Sequence, residues 1–178
     1  MKVLIIEDDD YKLDSAIQIL SSHSITKYTH VNNYMDAYSL LIKRPFDNFD
    51  FIILDIQFFW SRPLHNSRTI PDPQAGYKFL SKLAAESQDI PVFIFSSVEN
   101  FEEEYKEFLF PPFSEYKIKF VTSTVFYRES YYTNRYHEEM QTNKNIHQKT
   151  LNLVKGHAQN AEELASLINQ YLNSNNQP

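Results

Sequence analysis

Four groups of polar residues each follow a short apolar run in this chain. Glu7-Asp8-Asp9 follows VLII at 3–6, Asp55 follows FIIL at 51–54, Ser96-Ser97 follows PVFIF at 91–95, and Lys155 follows LNLV at 151–154. Clustered carboxylates repel one another and call for a hard cation. Mg²⁺ takes oxygen ligands from one or two carboxylates and keeps several of its waters. A carboxylate beside such a cation can act as a nucleophile toward phosphorus, forming an aspartyl phosphate. The charge on the phosphoryl oxygens then favours the metal, a hydroxyl donor and a fixed ammonium. Ser96 and Lys155 are the hydroxyl and the ammonium of this set. Taken alone, Asp55 reads equally well as the cap of the next element.

These groups can meet only if the runs before them are strands of one parallel sheet, whose C-terminal ends converge on a single ligand-binding edge. The apolar runs at 3–6, 51–54 and 91–95 suit strands buried on both faces. Residues 26–31 form a weaker strand, and 151–154 a short fifth one ending in Lys155. Between them lie helical stripes. Leu13, Ala16, Ile17 and Leu20 make the first, and Tyr34, Ala37, Tyr38 and Leu41 the second, which stops near Pro45. Gly76 opens a third, with Phe79, Leu80, Leu83 and Ala84 on one face. Phe101, Tyr105, Phe108 and Leu109 form a fourth, stopped at Pro111-Pro112. Asn160 with Glu163 is a capping box for a last helix that turns Ala161, Leu164, Ala165, Ile168 and Leu172 inward. Strands alternating with helices predict an α/β doubly wound parallel sheet, a single domain over 1–178.

Two stretches break the alternation. Residues 58–75 form a loop with Pro63, Pro71 and Pro73, long enough to be functional or mobile. Residues 100–149 form a second long insertion whose aromatics cluster between Phe101 and Tyr136, and it reads first as a second small core covering one side of the sheet and second as an exposed partner surface. Ile118, Phe120, Thr122, Thr124 and Phe126 hint at a strand of period two there.

Composition removes several classes of function. The net charge is -6 and no Lys/Arg run of nucleic-acid type occurs, so direct nucleic-acid binding is not expected. The chain has no cysteine, which excludes thiol catalysis, thiolate metal sites and disulfides, and fits a reducing, cytoplasmic compartment. No apolar run reaches membrane-spanning length, and no signal-peptide core is visible. Its two glycines, Gly76 and Gly156, cannot write GxGxxG or a P-loop. His137-Glu138-Glu139 is not HExxH, because position 141 is Gln; a solvated helix face is expected. His157 lies near Lys155, with a surface role favoured over one at the site. Glu102-Glu103-Glu104 reads as a solvated helix start.

With these residues in place the sequence resembles the response-regulator receiver domain of two-component signalling. The resemblance rests on VLIIEDD at 3–9, FIILD at 51–55, IPVFIFSS at 90–97, and LVK at 153–155 with EEL at 162–164. It implies a flavodoxin-like sheet of order 2-1-3-4-5. It implies Asp55 as phosphoacceptor and Mg²⁺ held by Glu7, Asp8, Asp55 and the backbone carbonyl of Gln57. Asp9 would then cap the first helix. Ser96 would bond the phosphoryl group and Lys155 would pair with it. The choice of Lys155 over Lys117 or Lys119 rests on the LVK and EEL match. The donor implied is a sensor histidine kinase or phosphotransfer protein, and the chemistry is at most self-phosphorylation and slow self-dephosphorylation. No DNA-binding domain is expected after the last helix. Output is therefore expected by protein–protein contact, through 100–149 among other surfaces, with homodimerisation left open.

The sequence also departs from that family. Phe59-Trp60 stands where receivers have a proline soon after the Asp55 strand, and the glycine expected shortly afterwards is delayed to Gly76. Gly156 replaces the usual proline after the lysine, and Asn152 replaces an aromatic three positions before it. An alternative function is a receiver-fold interaction module that is never phosphorylated and works through its insertions. An aspartyl-phosphate phosphohydrolase of haloacid-dehalogenase type ranks lower, since the acids after the first strand are contiguous and not DxD. A Toprim-type nuclease would want DxD where Asp55-Ile56-Gln57 stands.

Overall fold

The computed structural model describes residues 1–42, 49–61, 70–86, 89–110 and 129–175, with side chains in the last stretch from residue 137. The chain runs β1 (Lys2–Ile6), α1 (Asp10–Ser22), β2 (Lys27–Val31), α2 (Tyr34–Ile42), β3 (Phe51–Leu54), α3 (Ala75–Ala85), β4 (Val92–Phe95), α4 (Phe101–Leu109), α5 (Glu129–Leu153), β5 (Val154–Ala158) and α6 (Ala161–Asn175). The five strands form one parallel sheet in the order β2-β1-β3-β4-β5. This is the expected doubly wound sheet and strand order.

The period-two geometry of a strand explains why the central runs contain no polar residue. Val3 and Ile5, Phe51 and Ile53, and Phe93 and Phe95 face one layer, where Ala16, Ile19 and Leu20 of α1 meet Leu164 and Ile168 of α6. Leu4 and Ile6, Ile52 and Leu54, and Val92 and Ile94 face the opposite layer, formed by α2, α3, α4 and the end of α5. All these strand residues are essentially inaccessible to solvent. The edge strands β2 and β5 are more polar and more exposed, as sheet edges tend to be.

The second layer has a polar centre. Tyr105 of α4 is fully buried. Its hydroxyl lies 3.1 Å from Ser81 Oγ of α3 and 2.9 Å from Thr150 Oγ1 of α5, so one phenol ties three helices together. Buried hydroxyls need such partners.

The fifth strand differs from the sequence expectation. Residues 151–153 finish α5, and the strand starts only at Val154. Thr150 and Leu153 are buried and Ile146 packs against the same layer, a helical spacing that binds this segment to α3 and α4. The register between β4 and β5 then shifts. Val92 pairs with Val154, but Phe93 pairs with Gly156. Lys155 is the extra residue of this irregularity, bulged out of the ladder. The strand suggested at 118–126 lies outside the described residues. No helix among the described residues is long and apolar enough to cross a membrane.

Candidate functional site

The C-terminal ends of β1 and β3 bring three acids together. Oxygens of Glu7, Asp8 and Asp55 lie within 4.8 Å of one another. Glu7 and Asp55 are almost fully buried, and Asp8 is half-buried. The backbone fixes each position. Asp55 N–H donates to Ile6 O at 2.9 Å, and Glu7 N–H donates to Val31 O at 3.1 Å, so the ladder continues past both strand ends. The Ile56 amide donates to Asp55 Oδ1 at 2.6 Å. The Asp8 and Asp9 amides donate to Glu7 Oε1, each at 3.0 Å. The other oxygen, Glu7 Oε2, is buried and has no hydrogen-bond partner among the described residues. Asp9 is the N-cap of α1, as expected, accepting from the Tyr11 and Lys12 amides at 2.8 and 3.0 Å.

Burial and crowding disfavour the charged forms of Glu7 and Asp8. Glu7 is pushed up to about 8, first by burial and then by the charge of Asp55. Asp8 rises to about 6, again by burial first and Asp55 second. A buried carboxylate oxygen without a partner, inside an all-oxygen donor set, fits a hard divalent cation such as Mg²⁺. Glu7, Asp8 and Asp55 are the residues that would hold it.

Ser96 sits one residue past the end of β4, beside the Asp55 edge. Its amide donates to Ala158 O at 3.0 Å, which fixes the loop, and its Oγ is buried with no partner among the described residues. His157 Nε2–H donates to Ser96 O at 3.0 Å, so this histidine supports the Ser96 backbone from β5. Gln57 has an exposed side chain two residues after Asp55.

Lys155 is not brought to this site. It is exposed, near the start of β5 and away from the C-terminal edge, and its Nζ donates to Asn152 O at 2.7 Å. The bulge at Lys155 is the physical reason, together with the later start of β5. Lys117 and Lys119 lie outside the described residues. Among the described residues, the ammonium at the acids is that of Lys12, from the first turn of α1. Its Nζ is 3.1 Å from Asp55 Oδ2 and 3.9 Å from Glu7 Oε2. The second distance is an electrostatic contact and too long for a hydrogen bond. The sequence carries a signal for Lys12: it stands four positions beyond Asp8, two residues after the acidic run ends at Asp10.

The loop after Asp55 is anchored by the residues that replace the expected proline. The Tyr34 amide donates to Phe59 O at 2.8 Å and the Met35 amide to Trp60 O at 3.1 Å. Trp60 stacks on Tyr34 with ring centroids 4.3 Å apart, and Lys78 Nζ lies 5.1 Å from the Trp60 centroid. Gly76 returns to the site in space despite its distance in sequence. Its amide donates to Ile56 O at 2.9 Å. A Cβ there would meet Asp55 O and the Ile56 Cα, both at 2.6 Å. Both are backbone atoms that cannot rotate away. Gly76→Ala is therefore expected to destabilise the fold by about 1–3 kcal/mol, the usual range for overpacking. Urea unfolding with an unchanged midpoint would contradict the close approach.

No protein-family model matches the sequence, and no curated protein matches it. Solved structures do match. A two-component response regulator from Clostridium difficile is 13% identical, with a TM-score of 0.52 over 99% of this chain and 99% of that one. A CheY-like response regulator receiver domain protein from Methanospirillum hungatei is 12% identical, with a TM-score of 0.50 over 97% of this chain and 94% of that one. At these identities the likeness establishes the fold. The chain has the receiver fold, and the resemblance drawn from its sequence holds at that level.

Proposed function

We propose that this chain is a signalling receiver that accepts a phosphoryl group on Asp55, with Mg²⁺ held by Glu7, Asp8, Asp55 and the Gln57 carbonyl. The donor is a histidine kinase or phosphotransfer protein in the cytoplasm. Output is by contact with another protein, and no turnover beyond self-phosphorylation and slow self-dephosphorylation is involved. One observation carries the reading. A buried aspartate stands at the C-terminal edge of a parallel sheet with two further acids within 4.8 Å. The Ser96 Oγ at the same edge, without a partner among the described residues, adds a hydroxyl to offer a phosphoryl oxygen. When bound, Mg²⁺ neutralises charge on the phosphoryl oxygens. The residues do the rest. Asp55 presents its carboxylate, and the Ile56 amide fixes the carboxylate plane. A small acyl-phosphate donor with Mg²⁺ should add one phosphoryl group, read by intact mass. No addition at any donor or Mg²⁺ concentration would overturn the proposal.

The Lys12–Asp55 ion pair favours a second reading, in which the acids are neutralised internally and the fold serves only as an interaction module. The same mass measurement separates the two. The residues expected to carry output, Phe120, Phe126, Tyr127, Tyr131 and Tyr132, lie outside the described side chains, so their role stays a proposal. It is tested by hydrogen exchange across 113–149 with and without fluoroberyllate. Protection changes confined to 1–100 would overturn it.

A further inference from the structure

We propose that Lys12, from the first helix, supplies the ammonium that partners Asp55 and then the phosphoryl group on it. This inference rests on the phosphoacceptor reading above.

The geometry is specific to Lys12. Position 12 is in the first turn of α1, where the helix dipole opposes a positive side chain. An unconstrained lysine there would extend into water. Instead Lys12 is three-quarters buried, runs beside the Phe95 ring with Nζ 5.9 Å from its centroid, and ends on Asp55 Oδ2 at 3.1 Å. The Asp9 cap fixes the helix start through the Lys12 amide itself, so the side chain leaves from a defined point. Lys155, the lysine suggested by the sequence, is occupied on Asn152 O at an exposed bulge. Among the described residues, Lys12 is the lysine paired with the acids.

In the transfer step the donor's bond to phosphorus breaks and its electron pair leaves with the donor group, which departs as a carboxylate when the donor is an acyl phosphate. An Asp55 oxygen forms the new bond to phosphorus. Lys12 remains protonated throughout. Its flexible four-carbon stem lets the ammonium follow charge from the carboxylate to the phosphoryl oxygens. The same placement sets Lys12 against the metal, because a positive charge at Asp55 and Glu7 repels a second cation.

Removing Lys12 should therefore move two readouts in opposite directions. In Lys12→Met, Mg²⁺ affinity measured by calorimetry should rise several-fold, as the competing charge is gone. Phosphoryl uptake from a small acyl phosphate should slow by roughly tenfold or more, as a fixed charge on the phosphoryl oxygens is lost. Lys12→Arg should restore part of the uptake rate. A variant that was only damaged in folding would weaken both, and that outcome overturns the assignment. So does normal uptake in Lys12→Met with loss in Lys155→Ala. If the wild type takes up no phosphoryl group, the receiver function fails on its own. The calorimetric arm still decides on Lys12, and unchanged Mg²⁺ affinity in Lys12→Met would overturn its role.

Discussion

Asp55→Asn is expected to abolish phosphoryl uptake completely while leaving the fold intact. Wild-type protein incubated with Mg²⁺ and a small acyl phosphate should gain one acid-labile, hydroxylamine-sensitive group, and the variant none. An amide cannot form the acyl phosphate, so no slower version of the reaction is available to it. The fold has little reason to suffer. An asparagine side-chain oxygen can still accept from the Ile56 amide, as Asp55 Oδ1 does at 2.6 Å. The backbone bond from residue 55 to Ile6 O is unaffected by the substitution. Replacing one of three crowded carboxylates also relieves repulsion on Glu7 and Asp8, both of which are raised in part by the Asp55 charge. The melting temperature should therefore stay close to that of the wild type. A variant that still takes up one phosphoryl group would place the nucleophile elsewhere, and one that unfolds would show that Asp55 is mainly structural.

The central sheet could be read from the sequence because burial on both faces leaves continuous apolar runs, VLII, FIIL and VFIF, each ending in a polar residue. The same contrast marked Glu7, Asp8, Asp55 and Ser96, since an acid directly after such a run must lie at a strand end. The edge strand β5 had no such contrast. VKGHA contains a lysine, a glycine and a histidine, and only Ala158 is fully buried. The apolar LNLV just before it then looked like the strand, although Leu153 serves the helix that precedes it. That displacement carried Lys155 to the wrong end of the ladder. Lys12 was missed for a different reason. A lysine in the first turn of an amphipathic helix ordinarily belongs to the solvated face, and only the distance to Asp55 shows that it does not. Gly76 was recognised as late in sequence, but its contact with the Asp55–Ile56 backbone is visible only in three dimensions.

Mg²⁺ should stabilise the protein little near pH 5 and strongly near pH 8, and Glu7→Gln should remove most of that dependence. The sign follows from the two raised carboxyls. Glu7 binds its proton more tightly in the fold, with a pKa of about 8 against 4.5 ordinarily, because burial and then the Asp55 charge disfavour its anion. Asp8 behaves likewise, at about 6 against 3.8. Where the folded value exceeds the unfolded one, the unfolded state loses its proton first as pH rises. The metal-free fold is therefore favoured by these groups below about pH 4, loses stability as pH climbs, and has lost the full contribution above about pH 8. The loss should appear as a melting temperature that falls as pH rises. A divalent cation needs the deprotonated acids and repays part of their repulsion, so its binding competes with protons and strengthens over the same window. Thermal melts from pH 5 to 8.5, with and without Mg²⁺, read the effect as a difference in which other titrating groups largely cancel. Glu7→Gln keeps the shape of the side chain and discards its charge. It should melt higher than the wild type at pH 8 without metal and gain less from Mg²⁺. A Mg²⁺ gain that is flat with pH, or a Glu7→Gln protein that melts lower at pH 8 without metal, would show that the Glu7 carboxylate is stabilised by groups other than the cation it is proposed to hold.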